Sequence, residues 1–490
     1  GNISILTGAG ANNVNVPLFG NYAAGIVSLG SGTQTVTGGA ITISNSSAPG
    51  STGIYSGNSQ TIAASGVVTV QVTAGAGTAA IDAVSGTQTI RGTLASTADP
   101  GSANAGQVAN AGSANGGVRV QITGGSGGTA RIANSGGGQN IIGSFVDVNT
   151  TASGTAAVTA SGDQWIHTTN GGASGVGSLR VAAVGGGSAT VSSGGYQLLQ
   201  IDYPELMQGA RNGSITVGGA GATGSSLISA VDQDVFARSI TVLGGATVGA
   251  NAKIDVSGIQ NVSLVSSTAT PTAGITVTGG AGGTALIDPV TQTILSNGAI
   301  SVTGGSGTGT IGGIIGTGDQ TILVTSGGAN SILVQGGPSG SNGAFGQITT
   351  TGAIQRIGTS GDFVLIGGLG NNADAIIGAN GGTAETFLAC GSGFTCNAGL
   401  APFTAISSVN NPFVDPTTQV GVYYSPITVP LDDIFAATGG GVPGAVPQES
   451  STLALPDFLF NSLLLWDPEL SLTEDERQEI LLGRRLPVCN

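Results

Sequence analysis

Charge is scarce in this sequence: Asp, Glu, Lys and Arg together make up 7% of its 490 residues, against roughly a quarter in an ordinary globular domain. Lys253 is the only lysine, His167 the only histidine, and the formal net charge is −14. No basic footprint exists for nucleic acid or for an anionic membrane, which removes both as partners. Long apolar runs are also missing. The best, around Leu453 to Trp466, is broken by Pro456 and Asp457 and falls short of the roughly 18 residues a membrane-spanning helix needs. Only three cysteines occur, Cys390, Cys396 and Cys489. The short Cys390 to Cys396 separation suits a small disulfide loop in an oxidising compartment, leaving Cys489 as an unpaired tail residue or an intermolecular bridge. His167 lies far from all three in sequence, so no zinc site is expected. The chain opens on Gly1 rather than Met, which fits either a targeting segment already removed or a sequence that simply starts inside a longer one.

What fills the sequence is glycine, 90 residues of it, with Ala, Ser, Thr, Val and Ile. A chain so rich in glycine builds no conventional helical core. Gly, Ser and Thr richness accompanies disorder in many proteins, but disordered segments lack the alternating Val and Ile runs that recur here. The composition therefore predicts an ordered chain made of strands. Its length exceeds a usual single domain, a limit that repeat architectures escape because each unit contacts only its neighbours.

A glutamine followed two residues later by an aliphatic residue recurs at Gln34, Gln60, Gln88, Gln139, Gln164, Gln197, Gln233, Gln260, Gln292, Gln320 and Gln355. The partners are Val36, Ile62, Ile90, Ile141, Ile166, Leu199, Val235, Val262, Ile294, Ile322 and Ile357. Residues i and i+2 of a strand share a face, so each glutamine points with its aliphatic partner toward the interior. A buried amide costs roughly 1–3 kcal/mol unless hydrogen-bonded. Coils stacked about 4.8 Å apart remove that cost if each amide donates to the next, which is a glutamine ladder. Each ladder strand precedes a turn and a second strand, as at Ile41 to Ser44 or Ile275 to Val277, then a glycine cluster and a third strand, as at Thr78 to Asp82 or Thr284 to Asp288. Three strands in roughly 27 residues make one triangular coil with glycine supplying the corner dihedrals. The predicted fold is an all-β, right-handed parallel β-solenoid of about twelve coils, a rod on the order of 60 Å long. Extra length at Arg91 to Gly116 and Tyr203 to Asn212 leaves the ladder-strand corner, so both insertions fall on one side of the rod.

The pattern stops near Gly378, giving a solenoid over 1–378, an end-cap region with the Cys390–Cys396 loop over 379–409, and a tail over 410–490 where glycine falls and Pro, Leu and acids rise. A short helix is expected at Glu474 to Leu482, with Thr473 as N-cap and Glu476 completing the capping box. The tail's Leu455, Phe458, Phe460, Leu464 and Trp466 need an apolar groove on their own rod or on a neighbour.

Repeats such as Gly274 to Asp288 (GITVTGGAGGTALID) resemble the secreted β-helical exoproteins of bacterial two-partner secretion, the filamentous-haemagglutinin-like group, over about Asn2 to Gly378. The resemblance implies passage through an outer-membrane pore and life as an extracellular fibre or adhesin. That family's Asn-Pro motifs do not occur near Asn2, and the comparable string, Asn410-Asn411-Pro412, lies in the tail.

Solenoid ends are unpaired strand edges, so head-to-tail association into a homopolymer is expected, with the tail clasping the adjacent subunit. The rival reading is a carbohydrate-binding or polysaccharide-active β-helix. Asp163, Trp165 and His167 alternate on the outward face of one ladder strand and Tyr196 stands on the next coil, a combination that stacks a sugar ring and brings a carboxylate near an imidazole. Paired carboxylates for glycoside cleavage are not assembled, so no catalysis and no cofactor are expected. Ice binding fails because the outward Thr33/Thr35, Ser59/Thr61 and Thr87/Thr89 pairs give way to Asp163/Trp165 and Tyr196/Leu198. Gly367 to Asp374 is a single approximate calcium repeat where stacked sites need several.

Overall fold

The computed structural model describes residues 3–390 apart from 8–13, 17–19, 47–49, 93–115, 169–177, 202–212, 265–273, 326–329, 339, 353, 360, 362, 370–372 and 380–384, and beyond them Val422–Tyr423. The described chain is a parallel β-helix. Its strands fall into three repeating faces, and within the repeats each strand pairs with its counterpart one repeat away rather than with its sequence neighbour.

The ladder face begins with Gln34–Gly38, which pairs in parallel with Gln60–Ala64, and this strand pairs with Gln88–Arg91. The second face is one sheet of twelve strands, from Ile3–Thr7 and Ile41–Asn45 through to Phe363–Ile366. The third face runs through Ser51–Ser56, Thr78–Ala83, Ser126–Asn134 and onward. In Ala252–Leu264 and Ala285–Ser296 the third and ladder strands merge into one long strand around the corner, so these two faces belong to a single sheet. An antiparallel strand, Val14–Val16, lies against the start of Gly20–Ser28 at the N-terminal end.

Alternation decides what is buried. Val67–Val72 and Gly117–Ile122 place Val68, Val70, Val72, Val118, Val120 and Ile122 inside with no exposed surface, while the residues between them face outward. The interior is a continuous column of Ile, Val and Leu with Ala where the faces converge. Between the third and ladder strands, Ser56, Asn134 and Ser193 accept the N–H two residues ahead, at 3.2–3.3 Å. Each also donates to a carbonyl three or four residues ahead, so a short side chain replaces a turn hydrogen bond.

The corner that follows the second face carries left-handed glycines as the sequence predicts, Gly75, Gly125, Gly249 and Gly309 among them, while its Gly-Gly pairs play another part. Gly244-Gly245, Gly279-Gly280 and Gly304-Gly305 do not adopt left-handed dihedrals; what they supply is space. A Cβ on Gly280 would stand 2.1 Å from the Gly245 carbonyl oxygen and 2.4 Å from that of Gly244. Stacked backbones meet here without side chains between them. Gly280→Ala is therefore expected to destabilise the fold by about 1–3 kcal/mol. Gly221→Ala, at a position with nothing within 4 Å, should stay within about 0.5 kcal/mol of the parent in chemical denaturation.

The parallel stack continues past Gly378: Glu385–Cys390 pairs with Ile354–Thr359, and Thr386 and Phe387 pair in turn with Val422 and Tyr423. The expected boundary falls early because Thr386 takes the register position of Gln355, which ends the glutamine signal while the strand persists. Cys390 closes that strand. Cys396, Cys489, the tail residues Leu455, Phe458, Phe460, Leu464 and Trp466, the expected helix at 474–482 and most of both corner insertions lie outside the described residues. Among the described residues no helix is long and apolar enough to cross a membrane.

Candidate functional site

Two groups of residues have side chains whose placement exceeds simple packing. The first is the ladder. Its eleven glutamines are all buried, ten of them at 0–1% exposure and Gln34 at 8%. They stand in unbroken register: Gln34 opposite Gln60, Gln60 opposite Gln88, and so through Gln320 opposite Gln355. Every glutamine after Gln34 donates from Nε2 to the Oε1 of the glutamine before it, at 2.6–3.0 Å.

The sense of these bonds is the reverse of a donation to the following coil. A second acceptor fixes it: Nε2 of Gln60, Gln88, Gln139 and Gln355 also reaches the carbonyl of Ile54, Ile81, Ile132 and Ile348 in its own coil, at 3.0–3.5 Å. In these four glutamines one amide hydrogen is used along the column and one into the wall, where Gln88 and Gln139 also reach the carbonyls of Ala133 and Thr159 one coil on at 3.1 and 3.2 Å. Gln34 stands first, and its buried Nε2 has no hydrogen-bond partner. Such a donor costs the folded chain about 1–3 kcal/mol.

The second group lies on the outward side of the same face. Asp163 is exposed, Trp165 half-buried, and Tyr196 exposed at 38%. His167 differs from the expectation of an outward, accessible imidazole, because it is buried at 7%. Its ring meets that of Trp165 edge to face at 5.5 Å, and burial outweighs its hydrogen bond to Gln200, holding its pKa down to about 4. The imidazole is therefore neutral at pH 7. Trp165 Nε1 donates to Gln200 Oε1 at 2.8 Å, and the Tyr196 hydroxyl donates to Asp234 Oδ2 at 2.7 Å. Burial first, then Asp234 and Asp163, push the Tyr196 phenol up from its usual value, so it remains protonated.

Asp163 has a structural task that sequence reasoning missed. Its Oδ1 accepts the backbone N–H of Tyr196 at 2.9 Å; Asp232 does the same for Ile259 at 2.8 Å and Asp319 for Ile354 at 3.1 Å. The readable signal was the position itself: Asp stands immediately before Gln164, Gln233 and Gln320. These carboxylates cap the strand start one coil later, a use of Asp familiar from turns. Asp163, Trp165 and Tyr196 thus converge on one patch whose polar atoms are engaged with one another's neighbours. An Asp163–His167 proton relay is not built. The exposed ring of Tyr196 beside Asp163 and Asp234 is a platform for stacking rather than for proton transfer.

Ion pairs also tie successive coils together. Arg131 grips Asp82 through Nε and Nη at 2.6–3.1 Å, Asp147 lies between Arg119 and Arg180 at 3.6 and 3.3 Å, and Lys253 reaches Asp288 and Asp255 at 2.7 and 3.3 Å. Among the described residues no group of three or more His, Cys, Asp or Glu is placed to hold a metal ion. No protein-family model, curated protein or solved structure matches this chain.

Proposed function

We propose that the chain is an extracellular structural protein, a right-handed triangular β-solenoid of about twelve coils whose copies join head to tail into a filament with an adhesive role at a cell surface. The observation that carries this reading is the uninterrupted parallel stack with its internal amide column, because such a stack ends in strand edges rather than in closed surfaces. A heterologous contact that does not close on itself yields an open helical polymer, so no further component is needed. The tail, through Leu455, Phe458, Phe460, Leu464 and Trp466, clasps the neighbouring rod. Among the described residues the patch around Tyr196 sets no accessible acid beside a base, which favours a structural role over a catalytic one.

Light scattering across a concentration series, with negative-stain imaging of the same samples, tests the proposal. Mass should rise with concentration and images should show rods joined end to end in one line. A monodisperse monomer at every concentration overturns it. Surface glycans are the alternative partner: quenching of Trp165 fluorescence by oligosaccharides would favour a monomeric sugar-binding rod, and a flat titration discards that reading.

A further inference from the structure

The two ends of the amide column are chemically different, and the difference names the strands that meet between copies. All ten ladder bonds run in one sense, with Nε2 aimed at the preceding coil and Oε1 accepting from the following one. The column therefore begins on a donor. That donor, Gln34 Nε2, is buried and unpartnered, on a residue 8% exposed. Among the described residues, strand Gln34–Gly38 pairs only with Gln60–Ala64, so its other edge carries no described strand. At the opposite end the ladder position passes from Gln355 to Thr386, a residue whose hydroxyl both donates and accepts. Strand Glu385–Cys390 is six residues long, and among the described residues only Thr386 and Phe387 have a strand partner on the far side, Val422 and Tyr423.

We infer that the edge of Gln34–Gly38 is the docking site for strand Glu385–Cys390 of a second copy, added in parallel with Thr386 at the register of Gln34. The inference rests on the filament reading and gives it a direction. In this register Leu388 takes the position beside Val36, Phe387 the position beside Thr35, and Thr386 the position beside Gln34, a residue type whose hydroxyl is able to accept a hydrogen bond. Two N-terminal ends brought together would face donor against donor in antiparallel strands, so head-to-head pairing is disfavoured. The two-residue strand Val422–Tyr423 occupies the start of the same edge and competes with the incoming subunit. Displacing it exchanges a two-residue pairing for one of up to six.

Cross-linking between full-length copies tests the register. In a chain whose three native cysteines are replaced by serine, Thr35→Cys is placed in one preparation and Phe387→Cys in another. Adjacent parallel strands bring such a pair within disulfide reach. The mixture should form covalent dimers under mild oxidation, whereas neither preparation should do so alone. Gln34→Leu, which removes the orphan donor and keeps the apolar column, should weaken association of the parent chain about tenfold or more in sedimentation. Covalent dimers from Thr35→Cys alone would establish head-to-head contact and overturn the inference. Association that is unchanged by Gln34→Leu and gives no mixed dimer overturns this register while leaving the filament standing. Absence of any association in the parent chain removes both.

Discussion

Gln197→Leu is expected to cost about 4 kcal/mol, within a range of about 2–6, because one substitution orphans two buried groups. Gln233 Nε2 loses its acceptor at 2.6 Å and Gln164 Oε1 loses its donor at 2.6 Å. Leu fills nearly the same volume, so the loss is not a cavity effect. The same change at Gln34 should cost much less, since it orphans Gln60 Nε2 but removes a donor that is already unpartnered. Gln197→Glu separates hydrogen bonding from shape. At pH 8 a carboxylate there still accepts from Gln233 but sets charge against Gln164 Oε1 in an apolar interior, with an expected loss of about 4–6 kcal/mol. Its folded-state pKa lies above the unfolded one, so stability returns as pH falls through the folded value toward about 4.3, when the protonated acid again donates to Gln164. Urea unfolding of both variants against pH checks this. If Glu shows no acid recovery relative to Leu, the column is not held by directed amide bonds.

The lone histidine gives the second large effect. Above pH 6.5 His167 is neutral in both folded and unfolded chains. Below it the unfolded chain takes up a proton that the buried ring refuses until about pH 4, so stability is lost progressively between these values. A displacement of this size amounts to about 3 kcal/mol. His167→Phe removes the titration, and the ladder face already accommodates Phe236 two coils later at the same position. Asp374 and Asp82 act in the opposite direction: burial raises both, in Asp82 against the pull of Arg131, so they add stability as pH falls through their raised values toward 3.8. The difference between parent and variant isolates the imidazole. Parallel stability curves from pH 7 to 4 would show that the ring is not buried in its neutral form.

Which residues face inward was legible in the sequence because a two-residue period leaves no choice once Val or Ile marks one face. Gln164 and Ile166 are inside for the same reason that Trp165 is not. Crowding on the outer side has no such period. Alternation assigns His167 to the outward face correctly, yet cannot register that Trp165 and Gln200 enclose it. The sense of the ladder was illegible too, since an amide carries donor and acceptor on one carbon and only the wall carbonyls of residues such as Ile81 select between them. The corner glycines were recognised by composition, but their reason at Gly280 is the approach of a neighbouring coil, a distance that no single repeat contains. The merging of two faces in Ala252–Leu264 was hidden for a related cause: Ser257-Gly258 reads as a turn, while the strand runs through it.

The identical register of every ladder residue has a consequence for how such a chain changes size. Gln60 and Gln88 occupy equivalent positions on adjacent layers, each opposite the other, so the segment from Gln60 to Thr87 starts and stops at the same point of the circuit. Excising or duplicating it joins Ser59 or Thr87 to a glutamine exactly as before, with every amide still facing an amide. Length in this architecture is an integer quantity, adjustable by whole layers, and a gene that slips by one repeat produces a shorter or longer member of the same series rather than a misfolded chain.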